Sequence, residues 1–291
     1  GIKTEQENYY SDIVIIADGV NSLLAKQAGL RNEIKDSDVT VNIKEVFKLP
    51  KEKIEDRFLL DSASGAGAKI LGGPLKNMFS MGFLYTNKET ISLGIGISLD
   101  DLKKLKMKPY DLFEKFKSHP SIASIIKDAK IIEYSSHMIP EGGYNSMPKL
   151  YKDGVMVVGD AAMLVNNVHF EGTNLAMLSG KLAAETAVVA INKQDFSSKS
   201  LSLYGKKLKE SIVIKDLKTH KNSVDFVKKN INTITELYPD LVCEFFRVLH
   251  NASNEPKNEV YRKFLFRILK SGVIFKSIPL GIFAMEKCIK R

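Results

Sequence analysis

GVMVVGDAAMLVNNVHFEGTNLAMLSGKLAAET, from Gly154 to Thr186, is the stretch that decides the fold. Val155 to Val158 make a continuous apolar run, the pattern of a strand covered on both faces. Asp160 stands where that strand ends, and open α/β sheets bind ligands beyond the carboxyl ends of their strands. Gly172 then opens a helix whose small residues Ala176, Ser179, Gly180, Ala183 and Ala184 permit close packing. The first turn of a helix presents free N–H groups and partial positive charge. A carboxylate beside such a helix start suits a sugar-phosphate cofactor. These residues alone leave open a plainer alternative, an ordinary β-α unit with Asp160 as a helix cap.

A second segment has the same design. In SDIVIIADGVNSLLAKQAGL, Ser11 to Leu30, a buried strand at Ile13 to Ala17 runs into Asp18-Gly19. Asn21 or Ser22 is then expected to cap a helix carrying Leu23, Leu24 and Ala28. One Asp-Gly after a strand is usually only a turn. Two strand–Gly/Asp–helix units separated by an antiparallel region are more specific.

The residues between them read as antiparallel sheet. Thr40 to Leu49 alternates, and Met78 to Thr86 with Ile91 to Ile97 reads as a hairpin. In its second strand Ile91, Leu93, Ile95 and Ile97 share one face, and Ser92, Gly94, Gly96 and Ser98 the other. That thin face is expected to pack in the core, with a place beside a ligand or another layer as the alternative. Asp100 to Lys106, Tyr110 to Lys117 and Ser121 to Lys127 read as short helices. Lys130 to Ile139 returns as a strand, ending at Pro140-Glu141-Gly142-Gly143-Tyr144. Beyond Asp195 the pattern is helical over 201–219, 223–231, 241–250 and 259–270, punctuated by Pro239 and Pro256.

The chain resembles a known family at these motifs. ADGVNSLLAKQAGL resembles the second fingerprint of glutathione-reductase-type FAD oxidoreductases, and GDAAMLVNNVHFEGTNLAMLSGKLAAET their final flavin-binding fingerprint. IKEVFKLPKEKIEDRF, MGFLYTNKETISLGIGISLDDLKK, FKSHPSIASIIK and PEGGYNSMPKLYKDGVMVVGD resemble the FixC-type flavoproteins, close relatives of electron-transfer-flavoprotein:quinone oxidoreductases. The resemblance covers Asp12 to about Ala190. It implies an α/β (α+β) fold: an incomplete FAD-binding Rossmann-like domain at 1–38 and 150–195, an inserted antiparallel β-sheet domain at 39–149, and a basic helical region at 196–291. It implies FAD as cofactor, with Asp18, Gly19, Gly159, Asp160, Gly172, Thr173 and Asn174 as binding residues and Gly142 and Gly143 near the flavin ring. It further implies electron transfer from an electron-transfer flavoprotein to a ferredoxin-like protein or quinone. No side chain is expected to act as an acid–base catalyst, because the flavin carries the electrons. Two alternatives stay open: a geranylgeranyl-reductase-like flavoprotein acting on an isoprenoid, and an inactive partner- or membrane-docking fragment.

The sequence departs from the family in two places. No GxGxxG turn occurs, and Gly65-Ala66-Gly67 lacks a third glycine. The chain is therefore expected to be N-terminally truncated and to bind FAD weakly or not at all in this form. Met163 stands where many relatives carry glycine after GDAA.

Composition narrows the remaining chemistry. At 291 residues with 44% hydrophobic content, the chain can bury one large core or two smaller ones. Its two cysteines, Cys243 and Cys288, cannot form a four-cysteine cluster, and five scattered histidines lack ligand spacing, so no metal is expected. His169 is expected at the surface, with approach to the flavin as the alternative. The first ten residues lack the order of a signal peptide, and the expected location is cytoplasmic, peripheral to the inner face of the membrane. The net charge of +9 lies wholly beyond Ser198, where 19 basic residues face 9 acidic ones. That excess fits a solvated helical surface, or a docking face for an acidic partner or anionic membrane built on Arg262, Lys263, Arg267, Lys270 and Lys276 with Phe275, Ile282 and Phe283. No motif supports nucleic-acid binding.

Overall fold

The computed structural model describes residues 1–252, 254–270 and 272. The chain opens with a short hairpin, β1 (Ile2–Lys3) and β2 (Asn8–Tyr9), followed by β3 (Val14–Ile16) and α1 (Leu23–Gln27). Next come β4 (Val39–Lys48), α2 (Lys51–Phe58), β5 (Gly67–Ile70), β6 (Ser80–Thr86) and β7 (Thr90–Ser98). Three helices, α3 (Leu99–Leu105), α4 (Pro109–Lys117) and α5 (Pro120–Ala123), lead into β8 (Lys130–Pro140), β9 (Tyr151–Lys152) and β10 (Val155–Val157). The remainder is α6 (Thr173–Lys193), α7 (Ser198–Glu210), α8 (Ile212–Thr219), α9 (Ser223–Lys229), α10 (Tyr238–His250) and α11 (Lys257–Lys270). The larger sheets have the orders β3-β10-β9 and β5-β6-β7-β4-β8. The chain divides into two compact units: residues 1–44, 96–109 and 134–225, and residues 45–95 and 110–133 with the helices described from 226 on.

In the first unit β3 and β10 run parallel, pairing Val14 with Val155, Ile15 with Met156 and Ile16 with Val157. β9 joins β10 antiparallel. Ile16, Met156 and Val157 bury against Leu175 and Ala183 of α6, Leu201 and Leu208 of α7 and Val213 of α8. Of the small residues expected to pack closely, Ser179 and Ala183 are buried and Ala176 lies against Gly159, but Ala184 is exposed and a β-carbon on Gly180 would meet nothing within 4 Å, because that side of α6 faces outward. The Tyr204 hydroxyl donates to the Val157 carbonyl at 2.8 Å, which satisfies a strand-end acceptor inside the core. The single helix expected over 201–219 is two. At Ser211 the backbone is extended (φ −79°, ψ 169°), and its Oγ accepts from Val213 N–H and so starts α8 anew. At Gly96 on the thin face of β7, a β-carbon would lie 2.5 Å from Asn42 Oδ1 of the neighbouring strand β4, so the glycine leaves room for that side chain.

In the second unit Ile91, Leu93 and Ile95 of β7 and Leu112, Phe113 and Phe116 of α4 are buried. A β-carbon on Gly82 would lie 2.6 Å from the Phe116 ring, so glycine lets α4 approach β6. Lys117 is pinned between Glu45 at 2.8 Å and Glu114 at 2.7 Å. The helix expected at 121–127 ends at Ala123, and α10 starts at Tyr238, ahead of Leu241, after a π-turn at Thr233–Leu237. Among the described residues, α6 is the one helix long and apolar enough to cross a membrane. It packs Leu175, Ser179, Ala183, Thr186 and Ala190 into its unit.

Candidate functional site

The parallel pairing of β3 and β10 brings the two fingerprints side by side. Val158 N–H donates to the Ile16 carbonyl at 3.0 Å, so Asp18-Gly19 and Gly159-Asp160 leave adjacent strand ends. Asp18 caps the first helix: Leu24 N–H donates to its Oδ2 at 2.8 Å. Of the two expected caps, Asn21 and Ser22, neither makes this bond, and Ser22, at the cap position, gives no side-chain hydrogen bond to the helix. It holds a left-handed conformation (φ 50°), and its buried Oγ donates to the Ala161 carbonyl at 2.9 Å. Arg31 Nη1 donates to the same carbonyl at 3.2 Å, so both fingerprints are tied at one atom. Burial pushes the Arg31 pKa down, opposed by the charges of Asp38 and Asp18. Sequence reasoning missed Arg31. Its one signal was chemical: before Ser198 the basic residues are lysines except Arg31 and Arg57.

Gly159 turns the chain sharply (φ 57°) against α6, where a β-carbon would sit 3.1 Å from Ala176 Cβ. Its N–H donates to Ser179 Oγ at 3.0 Å. Asp160 follows in a 3-10 turn spanning Gly159–Ala162, which Met163 closes. Met163 is left-handed (φ 61°) with its side chain fully buried, so it turns aside into the core. That conformation favours glycine, and Met163 adopts it with its side chain in the core. The Asp160 carboxylate is half-buried and accepts no hydrogen bond from any described residue; burial raises its pKa.

The loop from Val165 to Glu171 folds back through a bridge between Asn166 and Glu171. Asn166 Oδ1 accepts from Val168 and His169 N–H at 3.2 and 3.3 Å. α6 then starts at Thr173 without a side-chain cap at Gly172 and with no acidic residue in its first turn. Thr173 and Asn174 are exposed. A β-carbon on Gly172 would lie 4.0 Å from Asp160 Oδ1, so the helix start and the carboxylate face a common space. His169 is exposed, as expected, and meets the His220 ring edge-on at 5.1 Å.

Gly142 and Gly143 lie on a separate turn, held by Asp38. Its carbonyl accepts from Glu141 and Gly142 N–H at 2.6 and 3.1 Å, and its Oδ2 accepts from Ser146 Oγ at 2.7 Å. A β-carbon on Gly142 would collide with Ser146 Cβ at 2.3 Å. Thr40 Oγ1 donates to Glu141 Oε1 at 3.1 Å, and Asn167 Nδ2 donates to the Glu141 carbonyl. This turn, the Val165–Val168 loop and residues 217–225 enclose a cavity of about 90 Å³. The structure thus joins Asp18, Gly19, Gly159, Asp160, Gly172, Thr173 and Asn174 in one place, with Gly142 and Gly143 at the neighbouring cavity. No group of three metal-ligating side chains occurs among the described residues. Of the five basic residues read as a docking face, Lys263 pairs with Glu255 and Arg267 with Glu244. Lys276, Phe275, Ile282, Phe283 and Cys288 lie outside the described residues, as does the side chain of Lys270.

Comparison with known proteins defines the class first. The fold is that of the FAD-dependent oxidoreductases. A geranylgeranyl bacteriochlorophyll reductase-like protein from Thermoplasma acidophilum superposes with a TM-score of 0.63 over 89% of this chain and 62% of its own, at 20% identity. The flavin-dependent brominase Bmp2 gives 0.56 over 90% and 64%, at 18% identity. Within that class the chain is similar to the FixC proteins: it is 42% identical to Protein FixC of Azorhizobium caulinodans over 268 residues, 91% of this chain and 62% of that protein. Protein FixC of Escherichia coli K12 is 36% identical over 276 residues, 94% and 64% respectively. The chain spans about three-fifths of the length of these relatives. Residues 39–139 match the family described as ETF-QO, ubiquinone-binding.

Proposed function

We propose that this chain is part of an FAD-dependent electron-transfer oxidoreductase. In that reading it accepts electrons from an electron-transfer flavoprotein and passes them to a ferredoxin-like protein or a quinone. The observation that carries the reading is the Asp160 carboxylate. It is desolvated and without a donor among the described residues, at a strand end, beside an uncapped helix start. A half-buried carboxylate in that state is open to a hydroxyl donor and gains from one that reaches it. The similarity to the FixC proteins and the quinone-binding family match over 39–139 support the electron-transfer role.

The residues fit the middle of a flavin dinucleotide. Asp160 would accept from its sugar-alcohol hydroxyls, and the free N–H groups at Thr173 and Asn174 would face its anionic part. Asp18 keeps the first strand end in place by capping α1. Arg31 and Ser22 hold the Ala161 carbonyl and with it the turn that carries Asp160. Bound FAD would supply the redox chemistry; these side chains bind, orient and set the local charge. Contact with the inner face of a membrane belongs to the same proposal, motivated by the basic residues beyond Ser198.

The test is flavin content in a chain of the relatives' full length. Asp160→Ala should purify folded but with at least tenfold less flavin per chain, about the loss expected for one charge-assisted hydrogen bond. Wild-type flavin occupancy in a folded variant would overturn the assignment.

A further inference from the structure

Strand β8 (Lys130–Pro140) leaves one edge and most of its side chains uncovered. It ends the order β5-β6-β7-β4-β8, and among the described residues no strand pairs with its outer edge. Edge strands are usually short, bulged or guarded by charge. β8 is 11 residues long, and apolar side chains stand exposed on both of its faces. Ile131 is 48% exposed on one face; Ile132 is 52% and Tyr134 51% exposed on the other. A strand with one solvated face would keep such residues on the opposite face alone. A long edge of this composition is completed by a further strand.

The residues of β8 are complementary to β8 itself. Two copies of one edge, related by a two-fold axis perpendicular to the sheet, run antiparallel. Both copies turn the same alternate backbone groups outward, so opposed residues must be an even number of positions apart. With the axis at Ser135, that residue faces its own copy. Tyr134 then faces Ser136 of the other copy, Glu133 faces His137, Ile132 faces Met138 and Ile131 faces Ile139. Apolar residues meet apolar ones, and each carboxylate meets an imidazole able to donate to it. Symmetry makes every one of these pairs twice. Moving the axis by one residue destroys the match. One way, Glu133 faces Ser135 and Ile131 faces His137; the other way, Glu133 faces Ile139. Pro140, which has no N–H to donate, ends the pairing.

We propose that the outer edge of β8 is an interface between two copies of this chain, paired antiparallel about Ser135 so that their five-stranded sheets join into one. A single strand pair is a small contact, so the dimer forms reversibly as concentration rises. The outer edge of β3 carries no such code: Val14–Ile16 is three residues long and uncharged, so nothing fixes a register there.

Sedimentation equilibrium of the 291-residue chain should show monomer and dimer in exchange. Glu133→Lys sets a lysine opposite His137, and His137→Glu sets two carboxylates against each other. Both side chains are exposed, so the fold should survive. Each variant should dimerise about tenfold more weakly than wild type, since two symmetry-related pairs turn unfavourable. An equimolar mixture of the two variants opposes lysine to glutamate and His137 to Glu133, and should dimerise as wild type does. Ser135→Cys, with Cys243→Ser and Cys288→Ser to remove the native thiols, should oxidise to a disulfide-linked dimer, because directly opposed residues lie within disulfide reach. Ser136→Cys in the same background, opposite Tyr134, should not. Ile15→Lys, on the outer edge of β3, should leave the dimer intact. A monomer at every concentration overturns the inference. So does a dimer that ignores the charge variants or that Ile15→Lys abolishes. A chain of the relatives' length that stays monomeric overturns it as well, since its additional residues would then be what covers β8. None of these readouts involves flavin, so this inference and the proposed function can each fail alone.

Discussion

Burial holds the Asp160 carboxyl above the ordinary aspartate range, and no described residue donates to it. A folded-state pKa raised in this way means that folding favours the protonated acid. The associated stability is complete below the unfolded pKa and is lost as pH rises through the folded one. Asp160→Asn should therefore stabilise the ligand-free chain at about pH 7, and the gain should vanish below about pH 4. Thermal melts of both proteins across that range check it; a gain independent of pH would rule out titration as the cause. Gly142 sets a steric limit. Gly142→Ala should cost about 1–3 kcal/mol, because its methyl group meets Ser146 Cβ. Gly142→Ala with Ser146→Gly should recover part of the loss in urea unfolding. The placing of Gly159 and Asp160 at a strand end was legible in the sequence, because the apolar run of β10 stops there. Arg31 was not, because its role depends on which long-range carbonyl the fold brings to it. Ser22 misled for the same reason: its hydroxyl found a buried carbonyl 139 residues away instead of its own helix.

The elements followed the apolar periodicity closely, from β4 and the β6–β7 hairpin to α6 and β8. The errors came where local chemistry interrupts a continuous pattern. Ser211 lies inside an amphipathic run, yet its extended backbone and its bond to Val213 N–H divide that run into α7 and α8. Periodicity is blind to such a break, because both helices keep their apolar faces on one core. The α4–β4 contact has consequences that the pattern also hides. Lys117 and Glu45 have side chains only 11% and 5% exposed. Burial works against the Lys117 charge, but hydrogen bonds to Glu114 and Glu45 outweigh it and raise its pKa. Lys117→Met should cost about 3–5 kcal/mol by stranding Glu45 in a dry place, and Lys117→Met with Glu45→Leu should cost far less. Chemical denaturation of the three proteins tests this. A raised lysine pKa supports the fold fully below the ordinary lysine value, and that support falls away as pH climbs through the folded value, so wild type should lose stability on the alkaline side and the double variant should not.

At the scale of the molecule, the charge asymmetry of the sequence is real but partly neutralised, with Lys263 and Arg267 each meeting a glutamate. Sequence counting cannot see such pairing. Flavin affinity is expected to be lower by orders of magnitude in the 291-residue chain than in a chain of the relatives' length, since each charge-assisted bond to the diphosphate contributes about 1.5–3 kcal/mol. Equilibrium dialysis of both against FAD decides this; equal affinities would show that these 291 residues hold the cofactor unaided. β3 ends the order β3-β10-β9, and no described strand pairs with its outer edge. Ile15 there is 40% exposed. An unpaired, apolar strand edge is adhesive toward any backbone of matching register, another copy included. In the test tube the chain should then self-associate as its concentration rises, and Ile15→Lys should keep it dispersed. That open border is thus also the weak point of the chain in storage, so shelf life becomes a readout of one exposed strand.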